Sequence, residues 1–200
     1  MAIVWDLNGF MAAVDPLTPS PVASRVDRPI VLVGMMGAGK TSVGKRLADA
    51  LTLPFFDADE EIVKAAGLSV TDIFQRLGEA EFRRGERRVI KRLLDGPPHV
   101  LATGGGAFMD DTTRAVIRER AVSVWLKANL DVLMKRVLKR PTRPLLQVAD
   151  PRAELQRLLT LREPVYAQAD VAVESSQGPQ AATVRTVLQA IQPFFAETGP

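Results

Sequence analysis

The chain has 200 residues, 46% hydrophobic and 24% charged, enough for one compact α/β domain with a full core and too few for two. It carries no cysteine and one histidine, His99, so disulfide frameworks and thiolate metal sites are excluded, and any imidazole-based triad would rest on that single residue. Net charge is +3, but the basic residues alternate with acids and form no aromatic-studded stripe, so no nucleic-acid partner is expected; no apolar run approaches the ~20 residues of a membrane span.

Residues 1–28 scatter Asp6, Asp15 and Asp27 among small residues, with Pro16, Pro19 and Pro21 in a Ser/Thr setting, and are expected to form a loosely ordered tail. The stretch has neither the charge pattern of a secretory signal nor that of a mitochondrial presequence. Residues 29–33 then form an unbroken apolar run, as expected of a strand buried on both faces.

Gly34-Met35-Met36-Gly37-Ala38-Gly39-Lys40-Thr41 follows and fits G-x-x-x-x-G-K-[ST], the P-loop pattern. Glycines at these positions let successive backbone N–H groups turn inward on phosphate oxygens, the lysine reaches the β and γ phosphates, and the threonine hydroxyl holds Mg²⁺. Gly37, Ala38, Gly39, Lys40, Thr41 and Ser42 are therefore the candidate nucleotide-binding residues. Val43, Leu47, Ala50 and Leu51 fall on one face of the helix that should follow, with its N-terminus aimed at the phosphates. The glycines read G-x-x-G-x-G, which does not match the G-x-G-x-x-G of a dinucleotide turn.

Residues 53–57 read as a second strand, ending at Asp57-Ala58-Asp59. The carboxyl ends of parallel strands gather the chemistry, and a crossover of this length sets this end beside the glycine loop. Asp57 suits the water shell of Mg²⁺, and Asp59 faces whatever accepts a phosphoryl group. Capping of the next helix is the lesser alternative for both acids, and the two roles are compatible.

Ser69, with Asp72 three residues on, opens a helix that Gly78 ends; a longer one runs from Glu79 to about Leu94, with Phe82, Val89, Ile90 and Leu93 facing the core. Glu86 stands three residues after Arg83 and can orient its guanidinium, whereas Arg84, Arg87, Arg88 and Arg92 read as a solvated face. His99 leads into a buried strand over 100–103, which runs into Gly104-Gly105-Gly106, a floor on which a ligand can lie against main chain. No acid ends that strand in the Walker-B manner and no N-K-x-D motif is present, which disfavours motor ATPases and GTPases.

A strand over 121–126 precedes a helix from about Asn129 that ends in a basic run through Arg140. Pro141 and Pro144 bracket Arg143 and bar a continuous helix, so residues 139–150 are the candidate lid and Arg143 its catalytic cation. A helix over 151–162 presents Arg162, a last strand covers 170–173 and a last helix 181–191. Asp59, the arginines Arg83 and Arg162, the glycine floor and the rings of Phe74 and Phe82 imply a small hydroxylated carboxylic acid as acceptor, because arginine forks read carboxylates and an aspartate accepts hydroxyl protons.

In combination, these motifs resemble the shikimate kinase family over roughly residues 29–192: the P-loop, Asp57-x-Asp59, Phe82-Arg83-x-x-Glu86, Gly104-Gly105-Gly106, Arg143-Pro144-Leu145 and Arg162-x-Pro164-x-Tyr166. The resemblance implies an α/β three-layer P-loop kinase fold over 29–200, with a five-stranded parallel sheet, a substrate-binding helical segment and a lid. It implies transfer of the ATP γ-phosphoryl to the 3-hydroxyl of shikimate with Mg²⁺, in a cytoplasmic monomer. By the same resemblance, Lys40 and Thr41 match ATP and Mg²⁺ ligands, Asp59, Arg83, Gly105 and Arg162 match shikimate contacts, Arg143 matches the lid arginine, and Arg136 an arginine beside the base. Residues 175–179, Ser-Ser-Gln-Gly-Pro, depart from the family pattern on the adenine side, where Gln177 is the candidate replacement. A gluconate-type sugar acid kinase and a non-catalytic nucleotide- or shikimate-binding module are the rival readings.

Overall fold

A computed structural model describes residues 3–5, 11–13, 25–138, 150–176 and 178–195. Within the stretch expected to be a loose tail, β1 (Ile3–Trp5) pairs antiparallel with β2 (Met11–Ala13). The body then alternates strand and helix: β3 (Ile30–Val33), α1 (Lys40–Leu51), β4 (Phe55–Asp57), α2 (Ala58–Ala66), α3 (Val70–Leu94), β5 (Val100–Ala102), α4 (Asp111–Arg120), β6 (Val122–Lys127), α5 (Leu130–Val137), α6 (Pro151–Tyr166), β7 (Val171–Glu174) and α7 (Gln180–Ile191). Five strands form one parallel sheet in the order β4-β5-β3-β6-β7.

The apolar run at 30–33 becomes the central strand because every one of its residues is sealed from solvent, with helices on both faces of the sheet. Helix α1 approaches closely because it carries Gly44: a Cβ there would stand 2.6 Å from the Phe55 ring and 3.1 Å from Leu32 Cδ1. The strand order places β3 between β5 and β6, so the loop after β3 opens at the carboxyl edge beside the ends of β5 and β4. That edge is where ligands settle in open parallel sheets.

A second, smaller apolar cluster lies apart from the main core. Ile62 of α2 packs with Ile73, Phe82 and Val89 of α3, with Phe74 against them. Ser69 caps α3 by accepting the Asp72 N–H at 3.1 Å, and Gly78, at φ 82° and ψ 168°, breaks the helical path within it. This positive φ suits glycine, and it divides the run into two helices at Gly78, as expected.

Two features differ from the sequence reading for physical reasons. Helix α6 continues past Arg162 to Tyr166 even though Pro164 lies inside it, because Tyr166 is fully buried between Phe108 and Trp125. Arg87 is not purely a solvated side chain: it reaches Asp110, the cap of α4, at 3.1 Å and so ties α3 to α4. Residues 139–149 of the proposed lid, with Arg143, lie outside the described residues, as does Gln177. Among the described residues, no helix is long and apolar enough to cross a membrane.

Candidate active site

The loop between β3 and α1 takes left-handed backbone at Gly37 (φ 81°) and Gly39 (φ 95°). Gly39 caps α1 without any side-chain hydrogen bond, so the first-turn N–H groups keep no side-chain acceptor and present a cluster of donors with the positive end of the helix dipole. Lys40 is buried at 9% exposure, and its Nζ donates to the carbonyls of Gly34 (2.7 Å) and Met35 (2.9 Å). The Thr41 hydroxyl donates to Asp57 Oδ2 at 2.8 Å, while Asp57 Oδ1 caps α2 by accepting the Asp59 N–H at 3.1 Å. Asp57 therefore caps a helix and faces the glycine loop at once. A cavity of about 270 Å³ runs over these groups, lined by Gly37, Gly39, Lys40, Thr41, Ser42, Asp57 and Asp59 and also by Arg136 and Gln180.

Ala38 is the one predicted loop residue off that wall. It is fully buried, and its carbonyl accepts hydrogen bonds from Arg136 Nη1 (3.2 Å) and the Ser175 hydroxyl (2.7 Å). Arg136 also reaches the carbonyls of Gly37 (3.2 Å) and Ser176 (2.6 Å), so it clamps the glycine loop to the segment after β7. Ser175 and Ser176, the residues that depart from the family pattern, supply that clamp.

Beside this cavity lies a second, of about 360 Å³, lined by Asp59, Phe74, Phe82, Arg83, Glu86, Gly104, Gly105, Gly106 and Arg162. Arg83 and Arg162, 79 positions apart, thus converge on one chamber, α3 carrying the first and α6 the second. Glu86 is 2% exposed and its Oε2 accepts from Arg83 Nη1 at 2.6 Å. Burial pushes the Glu86 carboxyl above its usual range, with Arg83 pulling it back and Asp59 and Asp110 adding to the rise. The rings of Phe74 and Phe82 lie 4.5 Å apart and close the apolar side.

The glycine floor is tight against these charges. A Cβ at Gly104 would stand 2.9 Å from Glu86 Oε1 and 3.2 Å from Asp59 Oδ1; one at Gly106 would meet the Arg83 guanidinium at 2.6 Å. The Gly105 carbonyl accepts from Arg162 Nη1 at 3.3 Å and from the Tyr166 hydroxyl. Burial pushes the Tyr166 hydroxyl up to about 12, so it stays a donor. Both cavities share Met36, Asp59, Gly104 and Gly105, which makes Asp59 the one acid standing between the phosphate loop and the arginine chamber.

Met36, Glu79 and Gln180 line these cavities and were not singled out from the sequence. Gln180 in particular reads as one more polar residue before a helix, with no spacing that would mark it.

The sequence model of the shikimate kinase family matches residues 36–192. A shikimate kinase of Bradyrhizobium diazoefficiens is 54% identical over 181 residues, covering 88% of this chain and 87% of its own. The solved structure of an Acinetobacter baumannii shikimate kinase in complex with shikimate superposes with a TM-score of 0.80 at 37% identity, over 84% of this chain and 96% of that one. A gluconokinase from Sinorhizobium meliloti aligns less well, with a TM-score of 0.55 at 26% identity over 86% of this chain and 95% of that one. With a phosphate loop, a bridging aspartate and a paired-arginine chamber in one cleft, this chain belongs to the shikimate kinase family.

Proposed function

We propose that this protein transfers the γ-phosphoryl of ATP to the 3-hydroxyl of shikimate, giving ADP and shikimate 3-phosphate for aromatic amino acid synthesis. The observation that carries the reading is the position of Asp59, on the wall common to the phosphate cavity and the chamber that holds Arg83 and Arg162. Two guanidinium groups suit a carboxylate, the glycine floor and paired phenylalanine rings suit a small ring, and Asp59 suits the hydroxyl that attacks. The acceptor is thereby held with one end fixed and its nucleophile at the mouth of the nucleotide site.

Phosphoryl transfer has a loose transition state, so positioning and charge neutralisation do most of the work. Lys40 and the loop N–H groups hold the triphosphate, Asp59 aligns the acceptor hydroxyl and takes its proton, and Arg83 and Arg162 fix the carboxylate. Thr41 and Asp57 fit Mg²⁺, since a hydroxyl and a carboxylate side by side are hard oxygen donors, and Mg²⁺ commonly takes one or two carboxylates with phosphates and water. Bound there, the ion would neutralise charge on the phosphate oxygens. The family resemblance assigns Arg143 to a lid over ATP, which would also keep water from the phosphate until the acceptor is seated. The reading takes residues 29–200 as one kinase domain acting as a cytoplasmic monomer.

ATP consumption by the purified protein, with and without shikimate, tests this reading. Turnover should need shikimate, yield one shikimate 3-phosphate per ADP, and be weak with gluconate or with no acceptor. Equal turnover with gluconate would move the assignment to the sugar acid kinases, and binding without product would make the chain a non-catalytic module. A second expectation concerns the floor. Gly106→Ala forces the Arg83 guanidinium aside and should raise KM for shikimate about tenfold or more, as expected when a charge-assisted hydrogen bond is lost, with KM for ATP within twofold. Separate titration of the two substrates reads the split.

A further inference from the structure

The two arginines of the acceptor chamber are held by different means. Arg83 is gripped by carboxylates, Glu86 at 2.6 Å and Glu79 at 3.2 Å. Arg162 lies within ion-pairing distance of no carboxylate among the described residues, and its Nη1 is anchored on the Gly105 carbonyl at 3.3 Å, the long end of a hydrogen bond. The same carbonyl accepts from the Tyr166 hydroxyl. Arg162 and Tyr166 stand four residues apart on α6 and so share one face of it, with Pro164 between them supplying no N–H to the helix.

Tyr166 is the fixed member of this pair. It is fully buried, with its ring stacked 6.0 Å from that of Trp125 in β6 and 6.5 Å from that of Phe108, in the turn Ala107–Met109 that follows the glycine floor. Its hydroxyl has one proton to give, and Met35 Sδ, 3.9 Å away, is a far weaker acceptor than a carbonyl. A carbonyl oxygen has two lone pairs. With Tyr166 on one of them, a single direction remains for Arg162.

We propose that Tyr166 is a positioning residue for the acceptor: by holding the Gly105 carbonyl, it limits Arg162 to one long hydrogen bond there and leaves the rest of the guanidinium turned toward the acceptor's carboxylate. Without the hydroxyl, the carbonyl draws Arg162 onto itself and out of the geometry that reads a carboxylate. The inference rests on the functional reading above, in which Arg162 binds that carboxylate.

Tyr166→Phe removes one hydroxyl and keeps both ring contacts. Calorimetric titration of the full chain with shikimate should show binding about fivefold weaker, the size of one ordinary hydrogen bond, and KM for shikimate should rise alike. KM for ATP, and kcat at saturating shikimate, should stay within twofold. Arg162→Ala should weaken shikimate binding about tenfold or more, and adding Tyr166→Phe to it should cost nothing further, because the tyrosine acts through the arginine. Tyr166 is the only tyrosine of the chain, so biosynthetic fluorotyrosine labels it alone and keeps the hydroxyl. Saturating shikimate should shift its fluorine NMR signal, a readout that needs no substitution at this buried site. Normal shikimate affinity in Arg162→Ala would defeat the functional reading and this inference with it. A weakened Arg162→Ala beside an unchanged Tyr166→Phe would defeat the inference alone. So would an equal rise in the KM of both substrates, additive losses in the double variant, or a fluorine signal indifferent to shikimate, any of which would leave Tyr166 a core residue and nothing more.

Discussion

Lys40→Met should lower kcat by about 10² to 10³, the usual consequence of removing one preorganised cation from developing charge, and should leave KM for shikimate within a factor of two. Methionine keeps much of the unbranched stem that packs beneath the loop, so the substitution removes charge and donors and little volume. In the described structure the ammonium is folded back on the Gly34 and Met35 carbonyls and is almost wholly shielded from solvent. A lysine held in this way is poised over the loop it must serve, because its tether is the first residue of α1 and its reach is set by the left-handed turn at Gly39. The cost should appear in kcat as well as in ATP binding, because the positive charge acts most strongly on the oxygens that gain negative charge as the bond to the γ-phosphorus loosens. Saturating both substrates and comparing kcat separates the two effects, and a thermal melt of the free protein within a few degrees of the parent shows that the fold is intact. A variant that kept most of its kcat would mean that other groups carry the charge neutralisation.

Much of this site was legible because a few residue types are forced by geometry. Loop glycines at positive φ, a lysine at the first helical position and an acid at the end of a neighbouring strand leave a pattern in the chain, and Gly37, Gly39, Lys40, Thr41 and Asp57 stand where that pattern puts them. The three inner strands of the sheet, β3, β5 and β6, were legible for a related reason, since residues buried on both faces are predominantly apolar. Arg83 with Glu86 was readable from their three-residue spacing on a helix.

What did not show in the chain is whatever depends on contact across large separations. Arg162 and Tyr166 both bond the Gly105 carbonyl, yet they lie 57 and 61 residues away from it, and nothing local indicates which glycine of the three they serve. Gln180 meets Arg46 across 134 residues and carries no spacing signal at all. The end of α6 was placed too early, at Arg162, because what carries the helix on past Pro164 is the burial of Tyr166, a tertiary effect. Arg87 was set among solvated cations because its partner, Asp110, belongs to another helix.

Glu86 separates two tasks that a single substitution would confuse. Its Oε2 holds Arg83 at 2.6 Å, whereas Oε1 is buried against Gly104 with no hydrogen-bond partner among the described residues. Glu86→Ala should raise KM for shikimate by about tenfold to 10²-fold, the equivalent of one charge-assisted hydrogen bond, because the Arg83 fork then turns toward its remaining partner Glu79, 3.2 Å away. KM for ATP should stay within twofold, since Glu86 lines only the acceptor chamber. Glu86→Gln should lose less, as the amide oxygen still accepts from Arg83. Its effect on stability has a definite sign. Burial raises the folded-state carboxyl above the unfolded value of about 4.3, so the wild type is at full advantage below that pH and loses stability as pH rises through the folded pKa, where the buried carboxyl must ionise. Glutamine has no proton to lose. Urea unfolding at a series of pH values should therefore show the Gln variant gaining on the wild type from acid toward neutral pH and then levelling off. A difference that shrank over that interval would mean that Arg83 outweighs burial and holds Glu86 ionised below its ordinary range.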